Sequence, residues 1–168
     1  MLQTYRCRVC GYLQVGEATE KCPMCQAAPA AFEEYNAPDV SGTKTEENLM
    51  AAFAGESQAN RRYTLFRRIA ELEGAPQSTL DAFDRAMQEE TAHALSHLVY
   101  AGGYGTTGAN LEAASAGEDH EQMDMYPQMA ETAEAEGFPE IAFYFRQVGK
   151  FEGEHSEGYV AAKQELEG

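Results

Sequence analysis

From residue 45 onward, apolar residues recur at intervals of three and four, the repeat of helices that each bury one stripe. In the first run Leu49, Phe53, Glu56, Asn60 and Tyr63 share a face, and Thr45 followed by Glu46 and Glu47 predicts an N-cap with an acidic first turn. The second, from about Ser78 to Ala101, places Leu80, Phe83, Met87, Glu90, Ala94 and His97 in the same way. The third spans roughly Ala109 to Glu136. It contains Pro127, which predicts a local irregularity because proline removes an amide donor and crowds the preceding turn. The fourth, Pro139 to Leu166, has the cleanest stripe: Ile141, Phe145, Val148, Glu152, His155, Tyr159, Ala162 and Leu166. Gly74-Ala75-Pro76 ends the first helix, and the glycine-rich stretch from Ala101 to Gly108 ends the second and marks a chain crossover. Nothing after residue 36 reads as a strand. The pattern predicts a mainly α chain built as a four-helix bundle.

Some positions in these stripes are not apolar. A carboxylate there is costly to bury unless it is paired or bound to a metal. Glu56, Glu90 with His93, Glu121 with Asp124, and Glu152 with His155 fall in the four helices in turn. The acids are 34 residues apart in the first two helices (56 to 90) and 31 apart in the last two (121 to 152). Residues i and i+3 are neighbours on a helix, so each Glu-x-x-His offers an oxygen and an imidazole nitrogen to one ion. One Glu from each of two helices with one Glu-x-x-His from each of the others is the pattern of a two-metal site inside a bundle. Oxygen with imidazole suits iron or manganese, and four carboxylates offset the charge of two divalent ions. His97 reads as a hydrogen-bonded core or surface histidine. His120 points about 100° away from Glu121 and reads as non-ligating.

The first 36 residues differ. They hold all four cysteines, as Cys7-x-x-Cys10 and Cys22-x-x-Cys25, and no apolar signal region precedes them. Two CxxC pairs without a secretory signal read as metal ligands in a reducing compartment. Gly11 supplies the residue able to turn backbone amides toward sulfur. Tyr5, Tyr12, Phe32 and Tyr35 form a small aromatic core, and a module this short folds only with its ion. Zinc and iron fit the thiolates equally, and a neighbouring redox site tips the choice to iron. The expected organisation is a tetrathiolate module over residues 1–36, a linker over 37–44 and the bundle over 45–168.

The net charge of −16, from 28 acidic and 12 basic residues, repels phosphate backbones and argues against nucleic-acid binding. No stretch approaches the ~20 apolar residues of a membrane span. A soluble, cytoplasmic protein is expected. Arg61, Arg62, Arg67 and Arg68 form a basic patch expected to pair with Glu71, Glu73 and neighbouring helices.

These stretches also carry a resemblance. Ala52-Phe-Ala-Gly-Glu56-Ser-Gln-Ala, the Glu90/His93 pair, Gly117-Glu-Asp-His-Glu121 through Met125-Tyr-Pro127, and Glu152/His155 resemble rubrerythrin; YRCRVCGY and KCPMC resemble its rubredoxin domain. The module precedes the bundle, as in reverse rubrerythrins. The resemblance implies a ferritin-like bundle in which a di-iron site reduces hydrogen peroxide to water with single electrons from a rubredoxin-type iron. By position, Glu90 and Glu152 are then the bridging carboxylates, Glu56 and Glu121 terminal ligands on opposite irons, and His155 a ligand of the second iron. His93 and Asp124 match the pair that exchange on the first iron, and Tyr63 a tyrosine beside the ligands. Three features depart from the family: Asp124 where Glu is usual, Gln26 where Gly usually follows the second CxxC, and eleven residues between Cys10 and Cys22.

Peroxide reduction, with dioxygen as a second oxidant and a rubredoxin- or NAD(P)H-linked reductase as donor, is the expected activity. A ferritin-like ferroxidase or iron-binding protein is the alternative, and a zinc clip for partner binding the third reading of the cysteine module. A homodimer or higher homo-oligomer is expected, with the cysteine site of one subunit near the di-iron site of another.

Overall fold

The computed structural model describes residues 2–168. Three short strands, β1 (Thr4–Cys7), β2 (Leu13–Val15) and β3 (Phe32–Glu34), make one antiparallel sheet in the order β2-β1-β3. A short 3-10 turn, Pro29–Ala31, precedes β3, and after the linker come α1 (Lys44–Leu72), α2 (Gln77–Tyr100), α3 (Thr107–His120), a π-helical turn over Glu121–Met125, α4 (Tyr126–Ala135) and α5 (Pro139–Glu167). With α3 to α4 counted as one interrupted helix, these are the four expected from the apolar period. The chain divides into two compact units, one ending at Tyr104 and the other starting at Gly105. The first holds the sheet, α1 and α2; the second holds α3 to α5.

Local chemistry sets the ends. The α1 cap is Thr43, two residues earlier than expected: its hydroxyl accepts from the Glu46 amide at 3.2 Å, while Glu46 accepts from the Gly42 amide at 2.7 Å. The helices α1, α2 and α4 all end with a glycine in the left-handed region, at Gly74, Gly102 and Gly137, and each end closes a backbone bond from the next residue to a carbonyl five back. The irregularity expected around Pro127 is the π turn. There the Tyr126 amide donates to the Glu121 carbonyl, five residues back, which widens the helix just before a residue that cannot donate.

In the module, the two cysteine turns repeat each other. The Gly11 amide donates to the Cys7 carbonyl and the Gln26 amide to the Cys22 carbonyl, both at 2.9 Å. Gly11 has φ 82° and Gln26 φ 61°. The second turn thus holds a side chain where the first holds glycine, and left-handed backbone costs a non-glycine residue about 1 kcal/mol. Gln26→Gly is expected to stabilise the module, by less than that amount because glycine also loosens the unfolded chain. Thermal loss of the cysteine-site absorbance measures it; an unchanged or lower midpoint contradicts it.

Within the first unit the module packs against α2. Cys7, Tyr12, Cys22 and Ala92 form one buried cluster. The Leu13 amide donates to Ser96 Oγ at 3.0 Å, and the Tyr100 hydroxyl donates to the Gly11 carbonyl at 2.7 Å. Arg6 stacks over the Tyr35 ring at 4.2 Å. The module thus lies on α2 of its own chain. The arginine patch pairs locally, Arg67 with Asp84 and Glu71, and Arg68 with Glu71.

Candidate metal centres

Among the described residues, three clusters gather metal-type donors. The four cysteine sulfurs lie within 4.8 Å of one another, with Cys7 and Cys25 Sγ 3.7 Å apart and Cys10 and Cys22 Sγ 3.6 Å apart. Burial pushes the Cys7 thiol up, but the amides of Cys10 and Val9 and the Cys25 and Cys10 thiols outweigh it and lower it to about 7. Cys10 is pushed up to about 12 by burial and by the three neighbouring sulfurs, against the Tyr12 amide. Four sulfurs this close cannot all ionise without a cation among them, and amides aimed at sulfur favour the thiolate. The donor set fits iron or zinc.

In the first unit, Glu56 on α1 meets Glu90 and His93 on α2. His93 Nδ1 lies 3.0 Å from Glu90 Oε2. A hydrogen bond to Glu90 raises the Glu56 carboxyl, with burial adding to it, while the same bond holds Glu90 below its usual range. A cation between them would favour the charged form of both. Asn60, one turn past Glu56, is buried and donates to the Met87 carbonyl at 2.7 Å and to Thr91 Oγ1 at 2.9 Å, which fixes α1 against α2 beside the donors.

The second unit repeats this group with different residues from those expected. Glu118 on α3 meets Glu152 and His155 on α5. His155 Nδ1 lies 2.8 Å from Glu152 Oε2 and 3.8 Å from Glu118 Oε2. Burial raises the Glu118 carboxyl, and the Glu152 charge adds to it. Ser156, buried on α5, donates to Asp119 Oδ1 at 2.6 Å and joins the two helices next to the donors. Asn60 and Thr91 correspond to Gln122 and Gly153, four residues after the first Glu and one after the second in each unit. A Cβ on Gly153 would overlap the Gln122 amide, so the longer amide takes the space that the Thr91 side chain fills in the first unit.

Of the residues predicted on this helix, Glu121 and Asp124 are not in the group. Glu121 is half-buried in the π turn, close enough that its charge raises Glu118 and Tyr126. The Asp124 side chain is 61% exposed, against 21% for Glu118, and faces His120 at 3.4 Å. Tyr63 packs its ring against Phe66 and Phe83. Tyr126, eight residues after Glu118, has its phenol raised by burial and by the Glu121 and Glu152 charges, and so stands by the second group much as Tyr63 follows Glu56. The sequence held a signal for Glu118: 56 to 90 and 118 to 152 are both intervals of 34.

Two Glu/Glu/His groups on helix pairs, with a tetrathiolate module, define a ferritin-like carboxylate protein for paired iron with an added rubredoxin-like domain. Residues 47–163 match the family model described as Rubrerythrin, and residues 5–33 the one described as Rubrerythrin, rubredoxin-like domain. The chain is 43% identical over 141 residues to a rubrerythrin of Porphyromonas gingivalis, which covers 76% of this chain and 70% of the relative. Rubrerythrin-1 of Clostridium acetobutylicum is 39% identical over 145 residues, covering 76% and 74%; reverse rubrerythrin-1 of the same organism is 34% identical over 107 residues, covering 55% and 59%. The chain belongs to the rubrerythrin family, whose members are iron-binding di-iron oxidoreductases, with its rubredoxin-like domain at the N-terminal side. No helix among the described residues is long and apolar enough to cross a membrane.

Proposed function

We propose that this chain is a peroxide reductase in which Glu56, Glu90, His93, Glu118, Glu152 and His155 hold a pair of iron ions and the four cysteines hold a third. The observation that carries the reading is the packing of the cysteine cluster onto Ala92, next in sequence to His93, which sets an electron-transfer site against a helix that supplies two donors. When bound, paired iron supplies the two electrons that break the O–O bond of hydrogen peroxide, which takes up two protons and leaves as two waters, and the tetrathiolate iron restores them singly from an NAD(P)H-linked reductase.

The chain's own groups prepare this chemistry. The Glu56 and Glu118 carboxyls are raised, the first by its bond to Glu90 and the second by burial, so a cation beside each favours the carboxylate form that ligates it. The carboxylates of Glu90 and Glu152 orient the imidazoles of His93 and His155, so each pair already faces one point. Glu121 is the acid in reach of the second group, in place of the exchanging role expected of Asp124, and Tyr126 joins Tyr63 as a phenol beside the donors. The test is to mix the anaerobically reduced protein with hydrogen peroxide and follow both iron chromophores. Fast oxidation of both and donor-driven turnover are expected. Oxidation over minutes without turnover, or oxidation of many Fe(II) per chain, would overturn the reading.

A further inference from the structure

Ala92, Ser96 and Tyr100 recur at intervals of four and so share one face of α2, the face on which the module lies. Ala92 fills space beside the cysteines, and Ser96 accepts from the Leu13 amide. Tyr100, the last residue of α2, does something different. Its hydroxyl donates at 2.7 Å to the carbonyl of Gly11, the residue that follows Cys10. That carbonyl belongs to the Gly11–Tyr12 peptide, whose N–H is the Tyr12 amide. Burial raises the Cys10 thiol, and the Tyr12 amide, hydrogen-bonded to its sulfur, opposes the rise. One peptide therefore joins a phenol of α2 to a metal-type donor, with O–H on its carbonyl and its N–H on sulfur.

Both ends of this chain of bonds are held. Gly11 has φ 82°, its amide donates to the Cys7 carbonyl at 2.9 Å, and the Tyr12 carbonyl accepts from the Cys7 amide at 2.8 Å. The peptide cannot rotate away from sulfur without straining those two bonds. At the other end, the Tyr100 ring meets Tyr35 edge-on at 6.4 Å between centroids, and Arg6 lies over Tyr35 at 4.2 Å. Burial raises the Tyr100 phenol, with the Tyr35 and Cys10 charges adding to it and Arg6 opposing, so the hydroxyl keeps its proton and stays a donor at neutral pH.

A carbonyl that accepts a hydrogen bond polarises its peptide, and the N–H at the far end becomes a stronger donor. Bonds linked in this way strengthen one another by about 10–30%. Hydrogen bonds to thiolate sulfur stabilise negative charge, and reduction by one electron makes a tetrathiolate iron group one charge more negative. A stronger Tyr12 bond thus favours the reduced form. We propose that Tyr100 raises the reduction potential of the tetrathiolate iron by polarising the Gly11–Tyr12 peptide that donates to Cys10 Sγ. Helix α2 then sets how readily a one-electron donor loads the module, besides supplying Glu90 and His93 to the first Glu/Glu/His group. The inference rests on iron at the four cysteines, as in the proposed function, and does not require the iron pair.

The test is a spectroelectrochemical titration of the cysteine-site absorbance in the iron-loaded full chain, comparing wild type with Tyr100→Phe and Ser96→Ala. Tyr100→Phe keeps the ring against Tyr35 and removes the donor. Its ferrous form is expected to be about threefold less favoured, a fall of about 28 mV for a one-electron couple at 59 mV per tenfold. Ser96→Ala removes the other side-chain bond between α2 and the module backbone and leaves the peptide untouched, so its midpoint is expected to match wild type. An unchanged or higher midpoint in Tyr100→Phe overturns the proposal. So does an equal fall in both variants, which would trace the shift to loosened docking. A second readout uses no iron: in the zinc-loaded chain, the Tyr12 amide proton is expected to move upfield by NMR in Tyr100→Phe, while that of Ala27, at the same place in the second cysteine turn, stays. A Tyr12 proton that does not move overturns the proposal. If the wild-type cysteines hold no reversibly reducible iron, the iron reading falls and the inference with it. Reversible iron with one midpoint in wild type and Tyr100→Phe leaves that reading standing and removes Tyr100 alone.

Discussion

Glu118→Ala is expected to abolish paired-iron binding, and Asp124→Ala to leave it intact. Glu118 is a largely covered carboxylate whose oxygen is grouped with Glu152 and His155, so its loss leaves the second group with two donors. Loss of a residue that merely orients a ligand costs about 10–100-fold in metal affinity, and loss of a ligand should reach at least the upper end of that range. Peroxide turnover should fall by about 100-fold or more. Asp124, exposed and opposite His120, takes part in a surface pair of about 0–1 kcal/mol. Glu118→Gln keeps the shape and removes the charge, so iron loss there with unchanged helical content separates ligation from folding. Iron counts and turnover for the three variants decide the matter. Equal losses for Asp124→Ala and Glu118→Ala would return the site to the reading made from the helical stripe.

The second large effect is expected from Cys22→Ser. Cys22 is fully buried, and its sulfur is 3.6 Å from Cys10 Sγ. Metal binding in small tetrathiolate modules carries about 10–16 kcal/mol of apparent folding free energy when the ion is zinc. The few side chains in this core, Tyr12 against Phe32 and Cys7 against Ala92, cannot replace that. The variant should lose the visible absorption of the site, and amide exchange over residues 4–34 should accelerate while helical circular dichroism persists. Donor-driven peroxide reduction should fall by about 100-fold, whereas chemically reduced paired iron should still be oxidised by peroxide. Turnover that survives would remove the module from the electron route.

Much of the site could be read along the chain because its elements are local. Glu90 with His93, and Glu152 with His155, lie one helical turn apart, and helical spacing alone puts both donors of each pair on one face. The start of α5 at Pro139 and the glycines that end α1 and α4 are likewise written in single residues. The third helix resisted the same treatment. Its apolar stripe is weak, and the π turn adds a residue to its period, so residues after Glu121 rotate away from the face that a 3.6-residue repeat assigns them. That rotation puts Asp124 in solvent. The matching intervals of 34 residues bypass the stripe, because they depend only on the length of each helix pair up to its donors.

The sequence by itself determined a mainly helical chain with carboxylate–histidine metal donors on its stripes and a cysteine module in front, since helix period, ligand type and thiolate spacing are short-range properties; the family and its iron came through the resemblance of those stretches to rubrerythrin. Only the tertiary structure decided that Glu118 joins Glu152 and His155, because donors on different helices meet through packing, here the Gln122–Gly153 and Ser156–Asp119 contacts. It likewise decided where the module sits. Nothing in the linker specifies that Ser96 and Tyr100 will bond to the backbone at Leu13 and Gly11, and those two bonds, with Ala92 filling the cysteine cluster, dock the module on its own α2.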